Sequence, residues 1–323
     1  MKFLTVGFIT LLVITATMSA QGIETFPPTD DTFIDQYAPN SNTGTKSYIP
    51  IRNTHGSGAT WELDGLFKFD LSSIPRGAKI TAAKLCLYYY RWWDTNPVGR
   101  LLTCHRITSS WNEKTVTWNT RPTHDSTSTS GSQVPAGFTW MAWDVTGDAR
   151  AFIDRTKANH GWQVMDLKKW GRANIPMAYF YSRESTGNNP YLEITLPTHI
   201  KAGAATVQPG GTVNLTLTAV NDAGLAYQVG SSLGTGPLSI GNREIGLTAD
   251  SLLLVSLSGM LPGVFVNYVG FISAQGGAGA AVKVPNEHAL VGININTAFL
   301  TLKASAPSGI ESISNTATFM IKK

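Results

Sequence analysis

The chain has 323 residues, enough for two domains with separate cores, and only 14% of them are charged. Its net charge of +4 is spread without a basic block, which argues against nucleic acid as a partner. After the N-terminus no stretch approaches the roughly 20 apolar residues that a spanning helix needs, so no membrane span is expected.

The first twenty residues read as an export signal. Lys2 supplies the positive start, Phe3 to Ile14 the apolar run, and Ala16, Ser19 and Ala20 the small residues near a cleavage point. The expected protein is therefore secreted and extracellular, with its fold starting near Gln21.

Asp30, Asp31 and Asp35 then cluster at a first strand. Exported β modules often hold calcium through carboxylate and carbonyl oxygens, so a structural calcium at Asp31 and Asp35 is an expectation, and no other cofactor is. Leu66–Leu71 alternates as a strand, and so does the longer run after Ile80. In that run Leu85, Leu87 and Tyr89 share one face, while Lys84, Cys86, Tyr88, Tyr90 and Trp92 share the other. The leucines choose the core, which leaves the second set outward.

Asp94-Thr95-Asn96-Pro97 reads as a turn to a strand over Arg100–Thr108. In a hairpin centred near residue 95, Cys86 lies opposite Cys104, at the spacing a disulfide needs. The same register sets Arg106 opposite Lys84 and Arg100 opposite Tyr90. Val145–Thr156 has a helical pattern, and Ala178–Tyr181 and Tyr191–Leu196 complete the strands.

All nine tryptophans precede residue 198, where the composition shifts to Gly, Val, Leu and Ala. The expected domains are residues 27–197 and 203–323. The second reads as strands over Thr212–Val220, Leu252–Ser258, Ala280–Val284 and Ala298–Leu302, in the manner of an immunoglobulin-like sandwich.

Several segments of the first domain resemble the DNRLRE domain, the group that includes carbohydrate-binding module family 96. They are Asp31–Asp35, Phe67–Pro75, Ala82–Leu87, Ser109–Asn119 with its two tryptophans, Trp143–Thr146, Phe180–Glu184 and Asn189–Ile194, in consistent order. The resemblance implies an all-β protein whose N-terminal jelly-roll sandwich binds a polysaccharide without catalysis, alginate being one ligand class of the family.

The site expected on these grounds is an aromatic and cationic face. Tyr88, Tyr90 and Trp92 would stack on sugar rings, and Lys84, Arg100 and Arg106 would meet the charges of an acidic, alginate-like polymer. Trp111, Trp118 and Trp143 read as core, and Asp144 as a cap on the following turn. Serine nucleophile elbows, phosphate loops and HExxH are all absent, and Tyr88, His105 and Arg106 form only a weak case for a lyase, so no enzyme is expected. The rival expectation is a structural cell-surface or matrix protein that binds no glycan.

Overall fold

In the computed structural model the described residues are 22–53, 61–168, 175–241 and 243–323. The expected export signal and Trp170 lie outside them. The fold is all β. Strands β1 (Gly22–Phe26), β2 (Pro28–Asp35), β3 (Tyr48–Arg52), β4 (Leu63–Phe69), β5 (Ala82–Asp94), β6 (Leu101–Arg106), β7 (Ser130–Gln133), β8 (Thr139–Asp144), β9 (Trp162–Met165), β10 (Pro176–Tyr181) and β11 (Tyr191–Leu196) share one antiparallel sheet. Its order is β1-β11-β5-β10-β3-β4-β9-β6-β7, with β2 on β4 and β8 on β5. A helix, α1 (Thr146–Ile153), follows β8. Asp144 Oδ1 accepts the Thr146 backbone N–H at 2.9 Å and its hydroxyl at 2.6 Å, which supports the turn into that helix.

The long sheet curls so that its two ends face each other. Trp143 of β8 is fully buried and donates its indole N–H to Leu102 O of β6 at 2.8 Å, across the core. Leu85, Leu87 and Tyr89 all point into this core. Each buried leucine contributes roughly 1.5–3 kcal/mol, which fixes the polarity of β5.

The expected hairpin does not form. β5 pairs with β11 through Ala82–Cys86, with β8 through Lys84–Tyr89 and with β10 through Tyr89–Asp94, whereas β6 pairs with β9 and β7. Cys86 stands opposite Tyr191 and Ala142, Cys104 opposite Val164 and Ser130, and both thiols are free. The disulfide expectation fails because residues 95–100 lead the chain across to the facing layer instead of folding it back on β5.

Strands from Thr198 onward build further sheets. Four strands, including Thr198–Ala202, Thr212–Ala219 and Gly277–Lys283, form one; six, including Ala226–Ser232, Asn294–Leu302 and Ala317–Ile321, form another. Leu217, Tyr227, Val229, Phe299 and Phe319 join their core. The expected strand Leu252–Ser258 is instead a helix, α2 (Ser251–Ser258). Asp250 accepts the Leu253 N–H at 3.0 Å as its N-cap, and Gly259 closes it at φ 69°. Those end signals outweigh the apolar run between them, which periodicity alone cannot assign.

The two parts of the chain touch through polar contacts. Arg155 grips Glu244 with bonds of 2.7 and 2.6 Å, Lys79 meets Glu311 at 2.7 Å, and Glu24 lies 3.3 Å from His199.

Candidate functional site

The outward side of β5 carries Lys84, Cys86, Tyr88 and Tyr90, as alternation from Leu85 and Leu87 requires. Neighbouring strands add rings on the same side, and these form a continuous ladder. Trp140 of β8 contacts Tyr191 of β11 at 4.8 Å and Tyr88 at 5.3 Å between centroids. Tyr88 stacks on Tyr181 of β10 at 6.0 Å, and Tyr90 stacks on Tyr181 at 4.1 Å with planes 9° apart. Tyr179 meets Tyr90 at 6.4 Å and Tyr48 of β3 at 5.7 Å. Cys86 is buried opposite Tyr191, whose phenol lies beside its thiol.

A bulge interrupts this pattern. Tyr179 pairs with Arg91 and Phe180 with Tyr89, so one extra residue on β5 bends the strand. The bulge turns Arg91 outward, where its guanidinium lies 4.4 Å above the Tyr179 ring. Trp92 then pairs with buried Ala178 and leaves the tyrosine side. Trp93 takes the outward position and meets Trp61 at 6.5 Å. Trp92 is therefore exposed but is no part of the ladder, a correction that strict alternation could not foresee.

The cations are also rearranged. Lys84 remains outward, 3.2 Å from Glu193. Arg100 and Arg106 do not join it. Leu102 and Cys104 are the core residues of β6, so this strand's polarity is the reverse of the expected one. Arg100 is buried, donating from Nε to Asp166 at 2.9 Å and from Nη2 to Lys168 O at 3.1 Å. Arg106 is buried between Asp125 at 2.8 Å and Asp148 at 3.7 Å. Both belong to ion pairs of the facing layer.

Beside the ladder is a cleft of about 400 Å³, floored by Tyr90 and Tyr181 and walled by Ser47 and residues 184–188. The wall is held by its own bonds: Ser185 Oγ lies 2.8 Å from Asn189 Oδ1, and Asn189 donates to Arg183 O at 3.0 Å. Burial raises the pKa of Tyr90, and burial with the nearby Cys86 thiol pushes Tyr191 up to about 12. Both rings stay neutral phenols at ordinary pH, suited to stacking and hydrogen bonding and not to proton abstraction. A larger trough of about 750 Å³, lined by Ser126–Ser130, Asp125, Asp144, Thr146–Asp148 and Arg150, has no aromatic side chain in its walls.

The lyase grouping is not assembled. Tyr88 is on the ladder, while His105 and Arg106 are on β6. His105 Nδ1 lies 2.9 Å from Asp125 O and Nε2 3.1 Å from Thr103 Oγ1, and burial lowers its pKa. Trp143 is core, as expected, and Trp111 and Trp118 pack against a small second core of Ile34, Leu66, Ile107 and Val116.

Among the acids, Asp31 and Asp35 separate. Asp35 accepts the Tyr37 N–H at 2.8 Å, a local turn bond. Asp31, earlier on β2, instead gathers with Glu113 and Glu184, one carboxylate oxygen of each lying within 4.8 Å of the others. Burial lifts Asp31 to about 8 despite the bond it accepts from the Arg183 N–H. Glu113 and Glu184 sit in the Ser109–Asn119 and Phe180–Glu184 segments. Sequence spacing could not join these to Asp31, because the bonds that gather the segments, Asp31 with Glu113 and Asp31 with Arg183, span 82 and 152 residues.

The comparisons with known proteins address the part of the chain that holds these features. No curated protein matches the chain. Among solved structures, it is similar to the C-terminal domain of the Streptococcus pyogenes antigen I/II-family protein AspA, at 11% identity, over 85% of this chain and 100% of that one, with a TM-score of 0.19. A likeness that low carries no argument. The sequence profile of carbohydrate-binding module family 96 matches residues 22–196, more than half of the chain and the whole of the eleven-stranded sheet. The chain thus belongs to carbohydrate-binding module family 96.

Proposed function

We propose that this protein is secreted and binds an extracellular polysaccharide along the ladder from Trp140 to Tyr48, with the Tyr90–Tyr181 cleft as its centre. The observation that carries the reading is the run of contacting rings on the outward side of the sheet. Pyranose C–H faces stack on such rings, and phenol hydroxyls and the Ser47 and Ser185–Asn188 wall supply polar partners. An acidic, alginate-like polymer remains the favoured ligand class. Lys84 and Arg91 replace the buried arginines as the groups that would meet uronate carboxylates.

Affinity electrophoresis in gels containing alginate, with neutral glycan gels as comparison, tests this. Tyr90→Ala and Tyr181→Ala are each expected to weaken binding by about tenfold, the scale of a lost ring contact. Arg106→Ala is expected to leave the affinity of folded protein unchanged. Full retardation of both tyrosine variants would remove the ladder from the mechanism.

A second reading, assembly as a structural surface protein, draws on the C-terminal part. Leu254, Met260 and Phe271 there are at least 70% exposed, and α2 borders an apolar cleft of about 340 Å³. Concentration-dependent association measured by analytical ultracentrifugation, with no retardation on any glycan, would favour it.

A further inference from the structure

The cluster of Asp31, Glu113 and Glu184 shares Glu184 with the cleft wall and is not needed for ring stacking. Three carboxylates stand against one guanidinium there. Arg183 pairs with Glu113 through Nη2 and with Glu184 through Nε at 3.0 Å. Asp31 is 1% exposed, and its Oδ1 has no hydrogen-bond partner among the described residues. A buried carboxylate oxygen without a donor is costly, and a native protein normally supplies it with a partner.

The spacing suits a hard divalent cation. Calcium takes oxygen ligands at about 2.4 Å, so any two oxygens sharing one ion lie at most about 4.8 Å apart. The three acids meet that limit. They also come from separate segments: Asp31 from β2, Glu113 from the loop after β6, and Glu184 from the start of the cleft wall. Backbone bonds already bind the segments together, since the Asp31 N–H donates to Glu113 Oε1 at 3.0 Å and the Arg183 N–H to Asp31 Oδ2 at 2.9 Å.

We propose that Asp31, Glu113 and Glu184 bind a calcium-class divalent cation that ties β2 and the Glu113 loop to the wall of the Tyr90–Tyr181 cleft. The ion supplies the partner that Asp31 Oδ1 lacks and offsets the excess negative charge. It acts as a structural clamp and needs no sugar to bind.

The test uses the full chain, stripped with a chelator and dialysed, in thermal melts and calorimetric titrations with calcium chloride alone. Calcium is expected to bind once per chain and to raise the melting temperature by about 5 °C at saturation, since a ligand that binds only the folded state stabilises it. Asp31→Asn should abolish the calcium-dependent shift. Glu184→Gln, at an exposed position and with the side-chain shape kept, should weaken it at least tenfold in calcium concentration. No heat and no shift at millimolar calcium, or a shift retained in both variants, overturns the proposal. Neither readout involves a glycan, so the cation site and the polysaccharide reading stand or fall separately.

Discussion

The outward side of β5 and the layer built from β4, β9 and β6 invert the usual distribution of side chains. On β5 and its neighbours, seven aromatic rings line the outer surface of the sheet. In the other layer Asp64, Arg100, His105, Arg106 and Asp166 are all buried. The contrast teaches that residue class does not decide burial; partners do. Arg100 and Arg106 can go inside because Asp166, Asp125 and Asp148 wait for them. The rings can stay outside because each covers part of the next, so little of any one is left wholly to water.

The largest expected effects strike the charged layer and the core. Arg100→Ala strips buried Asp166 of its cation and is expected to cost about 3–5 kcal/mol in urea unfolding. On β8 two tryptophans divide the same way. Trp143→Ala empties a fully buried, hydrogen-bonded site, also about 3–5 kcal/mol. Trp140→Ala, three residues earlier and 37% exposed, is expected to change stability by no more than about 1 kcal/mol while weakening glycan retention. Equal destabilisation by the two tryptophan variants would show that Trp140 is packing and not platform.

Much of this architecture was legible in the chain, and the failures have specific causes. Alternation through Leu85, Leu87 and Tyr89 identified the inward side of β5, and with it Tyr88 and Tyr90 as outward. The same rule failed at Trp92, because a bulge adds a residue and sequence carries no mark of it. It failed for Cys104, Arg100 and Arg106 because pairing is a non-local property: Asp94–Pro97 resembles a hairpin turn, yet β5 already has β8, β10 and β11 as partners and the chain crosses from there to the facing layer. Trp140, Tyr181 and Tyr191 were visible as aromatic residues, but only the register of β8, β10 and β11 on β5 gathers them around Tyr88 and Tyr90. Asp31 was legible as a candidate cation ligand, but it was paired with its sequence neighbour Asp35, while Glu113 and Glu184 reach it through contacts that no spacing rule encodes. The apolar run of α2 was misread as a strand although Asp250 and Gly259 already marked its ends.

The smaller expected effect concerns the proton on Asp64, which is the least conventional member of the buried layer. Gln163 Nε2 donates to Asp64 Oδ2 at 2.9 Å, while Asp64 Oδ1 and Gln163 Oε1 have no partner among the described residues. Burial raises the pKa of Asp64 well above 3.8, the Gln163 bond opposing the shift only in part. A protonated Asp64 would present at Oδ1 the donor that Gln163 Oε1 lacks, and would so complete a cyclic acid–amide pair. The native state then holds a proton that the unfolded chain releases above its ordinary value near 3.8. Stability therefore falls as pH rises from that value through the raised one, by up to about 1.4 kcal/mol per pH unit. Asp64→Asn preserves the pair, because its amide N–H₂ donates where the acid O–H did, and it cannot titrate. Urea unfolding at about pH 5 and pH 7 should show a flatter dependence for Asp64→Asn than for the natural chain, whereas Tyr90→Ala on the aromatic side should leave the slope unaltered. Parallel slopes for Asp64→Asn and the natural chain would mean that Asp64 is ionised in the fold, and that the layer buries a charge there with only an amide to support it.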